Sequence, residues 1–425
     1  MNRKPRILLI PNVAWWIIGE MGRQIVARFG DKYDFYFVPE GLLERRPDLL
    51  DTLVASVDVI HCLNESSIDL FRGYDIERLP PISTWIHHIT TLSPMHRLAI
   101  EKSTALNVCT EGWKQYMEQC LDVRMPITVV PHGVDAKVFH RVKLKPGTFG
   151  IPAGKFVVGF IGNKGSDSDQ GRKGTDVFFD VILRTNSQVK NLHVVLGGPG
   201  WDTEMRGLAA QGISANATGY VHKSELPALY SALDAYLLTS RVEGGPCTVF
   251  EAMACETAVV STRVGAVPDL ITDGVNGYSV EVDDAGALVA ALVALSESAE
   301  MRRTLGSKAR ETVVKLPWGK ALTPLEAVYD SLVQLGKGPA LNGLPWMDDP
   351  RSLMRVSSAA DALSNVMKRV RQGKLNVAQG LKLLPEMLQR KSVGDVVKGF
   401  AMLRGWTYKA SASSSSREYR TLPGR

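Results

Sequence analysis

Short apolar runs of strand length recur along this chain, and segments of helical length lie between them. Arg6-Ile-Leu-Leu-Ile10 opens the series, and further runs fall at 33–38, 57–62, 82–87, 105–109 and 127–130. A second set lies at 156–161, 192–196, 236–238 and 258–261. Runs this short and this apolar read as parallel strands buried on both faces. Parallel neighbours need a long crossover, and the helical segments supply it. The pattern therefore predicts an α/β chain with helices on both faces of each sheet. With 425 residues there is room for two or three domains with full cores. The basic segment 137–152, carrying Gly and Pro, reads as a linker between the two sets.

Within the second set, one stretch carries chemistry: Thr239-Ser-Arg-Val-Glu-Gly-Gly-Pro-Cys-Thr-Val-Phe-Glu-Ala-Met-Ala-Cys255. It runs from the end of a predicted strand into a predicted helix. Gly244 and Gly245 let the backbone come close to a ligand, and Pro246 suits the first helical position. The free amides of the new helix, at Cys247, Thr248 and Val249, favour an anion, phosphate above all. Glu243 precedes the turn and Glu251 follows eight residues later. A carboxylate accepts two hydrogen bonds well, which suits vicinal sugar hydroxyls. The same residues also fit a plainer reading, with Glu243 solvated and Glu251 favouring a helix N-terminus.

Several segments around this stretch carry a resemblance. They are Pro131-His-Gly-Val-Asp135, Gly159-Phe-Ile-Gly162, Leu196-Gly-Gly-Pro199, Glu225-Leu-Pro-Ala-Leu-Tyr230 and Gly265-Ala-Val-Pro-Asp269, in this order with the paired glutamates. Together they resemble the Glu-x7-Glu signature region of the retaining glycosyltransferases of family 4. The resemblance implies the GT-B fold: two Rossmann-like doubly wound domains facing a central cleft. It divides the chain into an acceptor-side domain at 1–135, a nucleotide-sugar domain at 136–320 and a helix crossing back at 321–340; past Gly336 the likeness stops, and composition reads 341–425 as a helical, basic extension with a disordered end around Ser411–Ser416. The resemblance implies transfer of a hexosyl group from a nucleotide diphosphate sugar to an acceptor hydroxyl, with retention, in cell-surface polysaccharide or glycolipid synthesis. Two other readings stay open: a nucleotide-sugar epimerase or hydrolase on the same fold, and a non-catalytic sugar-binding scaffold.

The resemblance also implies roles. Glu243 orients the donor sugar and Glu251 the ribose, while Gly245 and the amides of Cys247, Thr248 and Val249 meet the diphosphate. Family members carry an Arg after the glycine that ends the first strand of the second domain, and a Lys about five residues on. Here Asn163 takes the Arg position, the loop is longer, and Lys173-Gly174 matches the Lys-Gly. Lys164 or Arg172 is left to supply the second cation. Gly22, near the start of the first helix, matches the glycine-rich loop across the cleft. Val221, within Thr218-Gly-Tyr-Val-His222, lies in the segment whose backbone meets the base. His87 resembles the histidine near the donor sugar and acceptor, with His88 as its alternative. As a metal pair these two histidines lack further ligands at suitable spacing. Asp167-Ser168-Asp169 mimics the metal motif of the other glycosyltransferase fold but reads here as a solvated turn. No cofactor beyond the donor and no metal is expected.

Charge sets off the tail. Residues 341–425 hold a balance of +9, against −3 for the rest of a chain whose net charge is +6. Two amphipathic basic segments, 353–370 and 375–390, fit peripheral attachment to an anionic membrane surface or contact with a partner protein, or else packing on the core. No run of 18 clean apolar residues predicts a transmembrane helix. Five cysteines without a CxxC spacing predict free thiols and a cytoplasmic chain, with any membrane contact peripheral at the inner face. Nothing in the pattern points to nucleic acid.

Overall fold

The computed structural model describes residues 3 to 336 apart from 15, 16, 146 and 166, and without the side chains of 167–169. The extension expected at 341–425 lies outside the described residues. The first sheet contains β1 (Arg6–Ile10), β2 (Asp34–Phe37), β3 (Val59–Cys62), β4 (Ile82–Ile86), β5 (Ala105–Val108) and β6 (Ile127–Val129). Its order is β2-β1-β3-β4-β5-β6, parallel throughout. The second contains β7 (Phe156–Ile161), β8 (Leu192–Gly197), β9 (Ser214–Gly219), β10 (Ala235–Leu238), β11 (Ala258–Thr262) and β12 (Tyr278–Val280). Its order, also parallel, is β12-β11-β10-β7-β8-β9.

Central strands such as β3, β4, β8 and β11 are buried along their whole length, as helices on both faces require. The edge strands β9 and β12 escape the sequence reading for the same reason. β9 reads Ser-Ala-Asn-Ala-Thr-Gly and is only half-buried, so no apolar run marks it. β12 has three residues and alternates in burial.

The chain returns to its first domain at the end. Helix Thr323–Leu335 places Leu325, Val328, Tyr329 and Leu332 in the core formed by Ile7, Phe29, Tyr33 and Phe35. The Tyr329 ring meets Phe29, Tyr33 and Phe35 edge-on at 5.4–6.1 Å, and its hydroxyl lies 2.7 Å from His61 Nδ1. The two interdomain crossings run side by side. The Val134 amide donates to Leu316 O at 3.0 Å, and a Cβ on Gly133 would stand 2.7 Å from Trp318 backbone atoms.

In open α/β sheets, ligands bind beyond the carboxyl ends of strands where the order reverses. In the second sheet that place lies between β7 and β10. The loop after β7 contains Asn163 to Lys173, and the segment after β10 contains Glu243 to Cys247.

Candidate active site

A cleft of about 540 Å³ lies between the domains. Asn12, Glu20 and His88 border it from the first domain, and Lys173, Glu243 and Glu251 from the second. Such a volume is in the range of small-molecule sites.

The turn Glu243-Gly244-Gly245 is held by the first domain. Trp113 Nε1 donates to Glu243 O at 3.0 Å, and His132 Nδ1 donates to Gly245 O at 2.6 Å. A Cβ on Gly244 would stand 2.0 Å from His87 O, and one on Gly245 would stand 2.5 Å from His132 Nδ1. The two glycines thus admit the close approach of the other domain, and both border the cleft as well.

Glu243 is the centre of a charged group. Its Oε1 accepts from Ser240 Oγ at 2.9 Å and lies 3.1 Å from Arg172 Nη1 and 4.0 Å from Lys173 Nζ. Burial opposes its charge, but Lys173 and Arg172 outweigh that and hold its pKa below the usual carboxylate range. Thr239 Oγ1 pins the loop, lying 2.8 Å from Gly174 O and 3.1 Å from Lys173 O. Asn163 and Arg172 both border the cleft. Lys164 instead pairs with Glu204 away from it, so Arg172 is the second cation beside Lys173.

Glu251 projects from helix Cys247–Ala254 into the same cleft. Tyr230 donates its hydroxyl proton to Glu251 Oε2 at 2.7 Å. Burial nevertheless pushes the Glu251 carboxyl up to about 7. Val221, Cys247 and Thr248 also border the cleft, and the Tyr236 hydroxyl holds Thr248 Oγ1 at 2.7 Å.

Two expected residues are elsewhere. Val249 is fully buried, and its amide already donates to Pro246 O at 2.8 Å, which leaves the amides of Cys247 and Thr248 at the start of the helix. Gly22 lies inside helix Ile17–Phe29 rather than in an opening turn. A Cβ there would stand 2.3 Å from the Phe37 ring and 2.9 Å from Leu63, so this glycine serves helix–sheet packing.

His87 borders the cleft, but its ring nitrogens are engaged elsewhere. Nε2 donates to Leu63 O at 2.9 Å, and Nδ1 faces Cys109 Sγ at 3.6 Å. Burial lowers its pKa to about 3. His88, the alternative, lies in the field of Arg172, Glu243 and Lys173, and burial followed by Arg172 lowers its pKa to about 4. The histidine facing the charged group is therefore His88. The fold also brings His132 and Cys109 to His87, ligand types that sequence spacing had not placed there.

Sequence reading missed a second charged group. Glu20 Oε1 pairs with Lys223 Nζ of the other domain at 2.8 Å, and Glu20 Oε2 pairs with Arg23 at 2.9 Å. Burial opposes this charge too, yet Arg23 and Lys223 depress the Glu20 pKa to about 2. Glu20 and Lys223 carry no local signature; only the closed cleft joins them.

The fold is that of the GT-B glycosyltransferases. Sucrose-phosphate synthase from Thermosynechococcus elongatus superposes with a TM-score of 0.64 at 18% identity, over 78% of this chain and 100% of that one. Anabaena HepE, solved with UDP and glucose, gives 0.61 at 16% identity, over 77% and 100%. At such identities the likeness is one of fold. Residues 155–298, most of the second domain, match the family model described as Glycosyl transferases group 1. The lipopolysaccharide core biosynthesis mannosyltransferase LpcC of Rhizobium leguminosarum is 28% identical over 222 residues, 50% of this chain and 61% of that protein. The phosphatidyl-myo-inositol mannosyltransferase of Mycolicibacterium smegmatis is 26% identical over 222 residues, 52% of this chain and 56% of the other. The chain thus spans about six tenths of the length of these two relatives.

Proposed function

We propose that the chain transfers a hexosyl group from a nucleotide diphosphate sugar to an acceptor hydroxyl, with retention at the anomeric carbon. The observation that carries this reading is the pairing of Glu243 and Glu251 on one cleft wall, with Lys173, Arg172 and the start of helix Cys247–Ala254 beside them. The amides of Cys247 and Thr248 and the two cations bind the diphosphate. Glu243 orients the hexose, and Glu251 accepts from the ribose hydroxyls. His88 borders the sugar end as a neutral ring.

As the bond from the anomeric carbon to the phosphate oxygen breaks, negative charge grows on the diphosphate. Lys173, Arg172 and the helix-start amides meet it in place, without reorganising. The departing phosphate takes the acceptor's proton while the acceptor oxygen bonds to the same face of the sugar. No enzyme nucleophile and no metal on the diphosphate are needed in this scheme. Epimerase or hydrolase chemistry would want a first-domain acid in the cleft. Two first-domain carboxylates border the cleft: Glu20, which Arg23 and Lys223 keep ionised and so a poor proton donor, and Asp135, whose Oδ1 accepts from the Lys137 and Val138 amides at the crossing.

The named relatives make mannosyl and glucosyl donors the first to test, and saccharide or lipid-linked hydroxyls the first acceptors. The basic tail, 341–425, keeps its reading as a reversible contact with an anionic membrane surface. A donor screen by calorimetry, followed by acceptor-dependent turnover, tests the proposal.

A further inference from the structure

Where the first domain meets the crossing, His87, Cys109 and His132 turn toward one another in a buried pocket. Cys109 Sγ lies 3.6 Å from His87 Nδ1 and 3.5 Å from His132 Nε2, and the three ligand atoms fall within 4.8 Å of one another. Both imidazoles have their outer nitrogens committed to backbone carbonyls. His87 Nε2 donates to Leu63 O at 2.9 Å, and His132 Nδ1 donates to Gly245 O at 2.6 Å. Each ring then aims its remaining lone pair at the same sulfur.

The proton count does not close. With each ring's tautomer set by its carbonyl, two imidazole lone pairs face the Cys109 thiol, which has one proton to give; a second thiol, Cys247 Sγ, lies 3.2 Å from the other nitrogen of His132, Nδ1. One lone pair is left without a proton in a buried pocket at the edge of the cleft, a costly arrangement. The indole nitrogen of Trp85, fully buried and stacked on His87 at 5.5 Å, makes no hydrogen bond of ordinary geometry among the described residues, and the group it acts on is the Cys109 sulfur. A sulfur carrying negative charge is a better acceptor for such a donor than a thiol. Burial pushes the Cys109 thiol up to about 12, while Trp85 and the Gly245 amide pull the other way.

We propose that His87, Cys109 and His132 bind one Zn²⁺ ion through Nδ1, Sγ and Nε2, with a fourth position turned toward the cleft. A tetrahedral zinc centre with ordinary Zn–S and Zn–N lengths has sulfur–nitrogen edges of about 3.6 Å. Both observed edges already have that length. Ligating histidines typically donate their outer N–H to a backbone carbonyl or carboxylate, as both do here. On binding, Cys109 gives up its proton to solvent and the thiolate enters the metal shell. The ion ties the ends of β4 and β5 to the crossing and, through Gly245 O, to the second domain.

The test uses the full, reduced chain, stripped of metal and titrated with Co²⁺. The expected result is a visible absorption of a four-coordinate site and a near-ultraviolet thiolate-to-cobalt band. Both should saturate at one equivalent and be abolished by Zn²⁺. Cys109→Ser should lose the thiolate band, whereas Cys120→Ser and Cys247→Ser should keep it. Absence of the band in the unmodified chain, or its survival in a folded Cys109→Ser, overturns the proposal. Should Cys109→Ser not fold, X-ray absorption of the zinc-loaded natural chain decides. One sulfur at about 2.3 Å with two imidazole nitrogens supports the site, and a shell of any other composition overturns it.

Discussion

The His132 imidazole lies against Gly245: its Nδ1 donates to Gly245 O at 2.6 Å, and a Cβ on Gly245 would stand 2.5 Å from that nitrogen. The turn that positions Glu243 is thus set by a residue of the interdomain crossing. Gly245→Ala should force the crossing and the turn apart, at a cost of about 1–3 kcal/mol for overpacking. Scanning calorimetry should show a lower midpoint, and turnover should fall with it. Gly207→Ala is the control. Gly207 lies inside helix Asp202–Ala210 with nothing within 4 Å of a built Cβ. It should raise stability by about 0.5–1 kcal/mol. Equal midpoints for Gly245→Ala and the natural chain would remove this account of the turn.

Arg172 and Lys173 lie beside Glu243, whereas Lys164 pairs with Glu204. Charge on a leaving diphosphate grows toward the transition state, so Lys173→Ala and Arg172→Ala should lower kcat more than donor affinity. A loss of about 10²–10³ in kcat is the scale for one such donor. Lys164→Ala should leave both quantities nearly unchanged. Steady-state kinetics beside donor calorimetry separates the two effects, and an Arg172→Ala enzyme with natural kcat would take Arg172 out of the role.

Glu251 should give donor binding a pH dependence near neutrality, because burial raises its pKa to about 7. Below that value it carries a proton and is a weaker acceptor for ribose hydroxyls. Nucleotide affinity should therefore rise from pH 6 to pH 8 and become flat in Glu251→Gln. Stability should run the other way. A raised carboxyl pKa favours the folded chain fully below the ordinary carboxylate range, and that contribution is lost as pH rises through 7. Glu251→Gln should thus gain stability relative to the natural chain at pH 8 and not at pH 4. Parallel pH profiles for the two proteins would remove Glu251 from the site.

The tail, 341–425, is expected to give salt-sensitive attachment to anionic vesicles, since each Lys or Arg near such a surface contributes about 1 kcal/mol. Flotation should recover the full chain with anionic liposomes at low salt and release it at high salt. A 1–340 truncation should stay unbound. Equal behaviour of the two proteins would leave the tail to packing or to a partner.

Much of the fold was legible because central parallel strands must be apolar on both faces. Ala258–Thr262 reads as a strand for that reason, while Ser214–Gly219, half-exposed at an edge, does not. At the site, the legible part was local in sequence. Glu243 and Glu251 share one turn and helix, so they are neighbours in sequence; spacing left a plainer reading open, and the resemblance of the surrounding segments singled them out. The pairing of Glu20 with Lys223 is set by domain closure, which no local pattern encodes. Gly22 misled because a glycine inside a helix can as well admit a neighbouring ring, here Phe37. His87 and His88 share a strand end, and only the surroundings separate the packed ring from the one facing Arg172.

The central claim is acceptor-dependent transfer with retention, and the anomeric configuration of the product tests it most directly. The full chain should be incubated with mannosyl or glucosyl nucleotide donors and a panel of soluble acceptor saccharides, without added Mg²⁺ or Mn²⁺, and the products followed by NMR. The account predicts one nucleoside diphosphate released for each glycoside formed, the new bond having the donor's anomeric configuration. Donor consumption that does not depend on acceptor, or a product of inverted configuration, would contradict it.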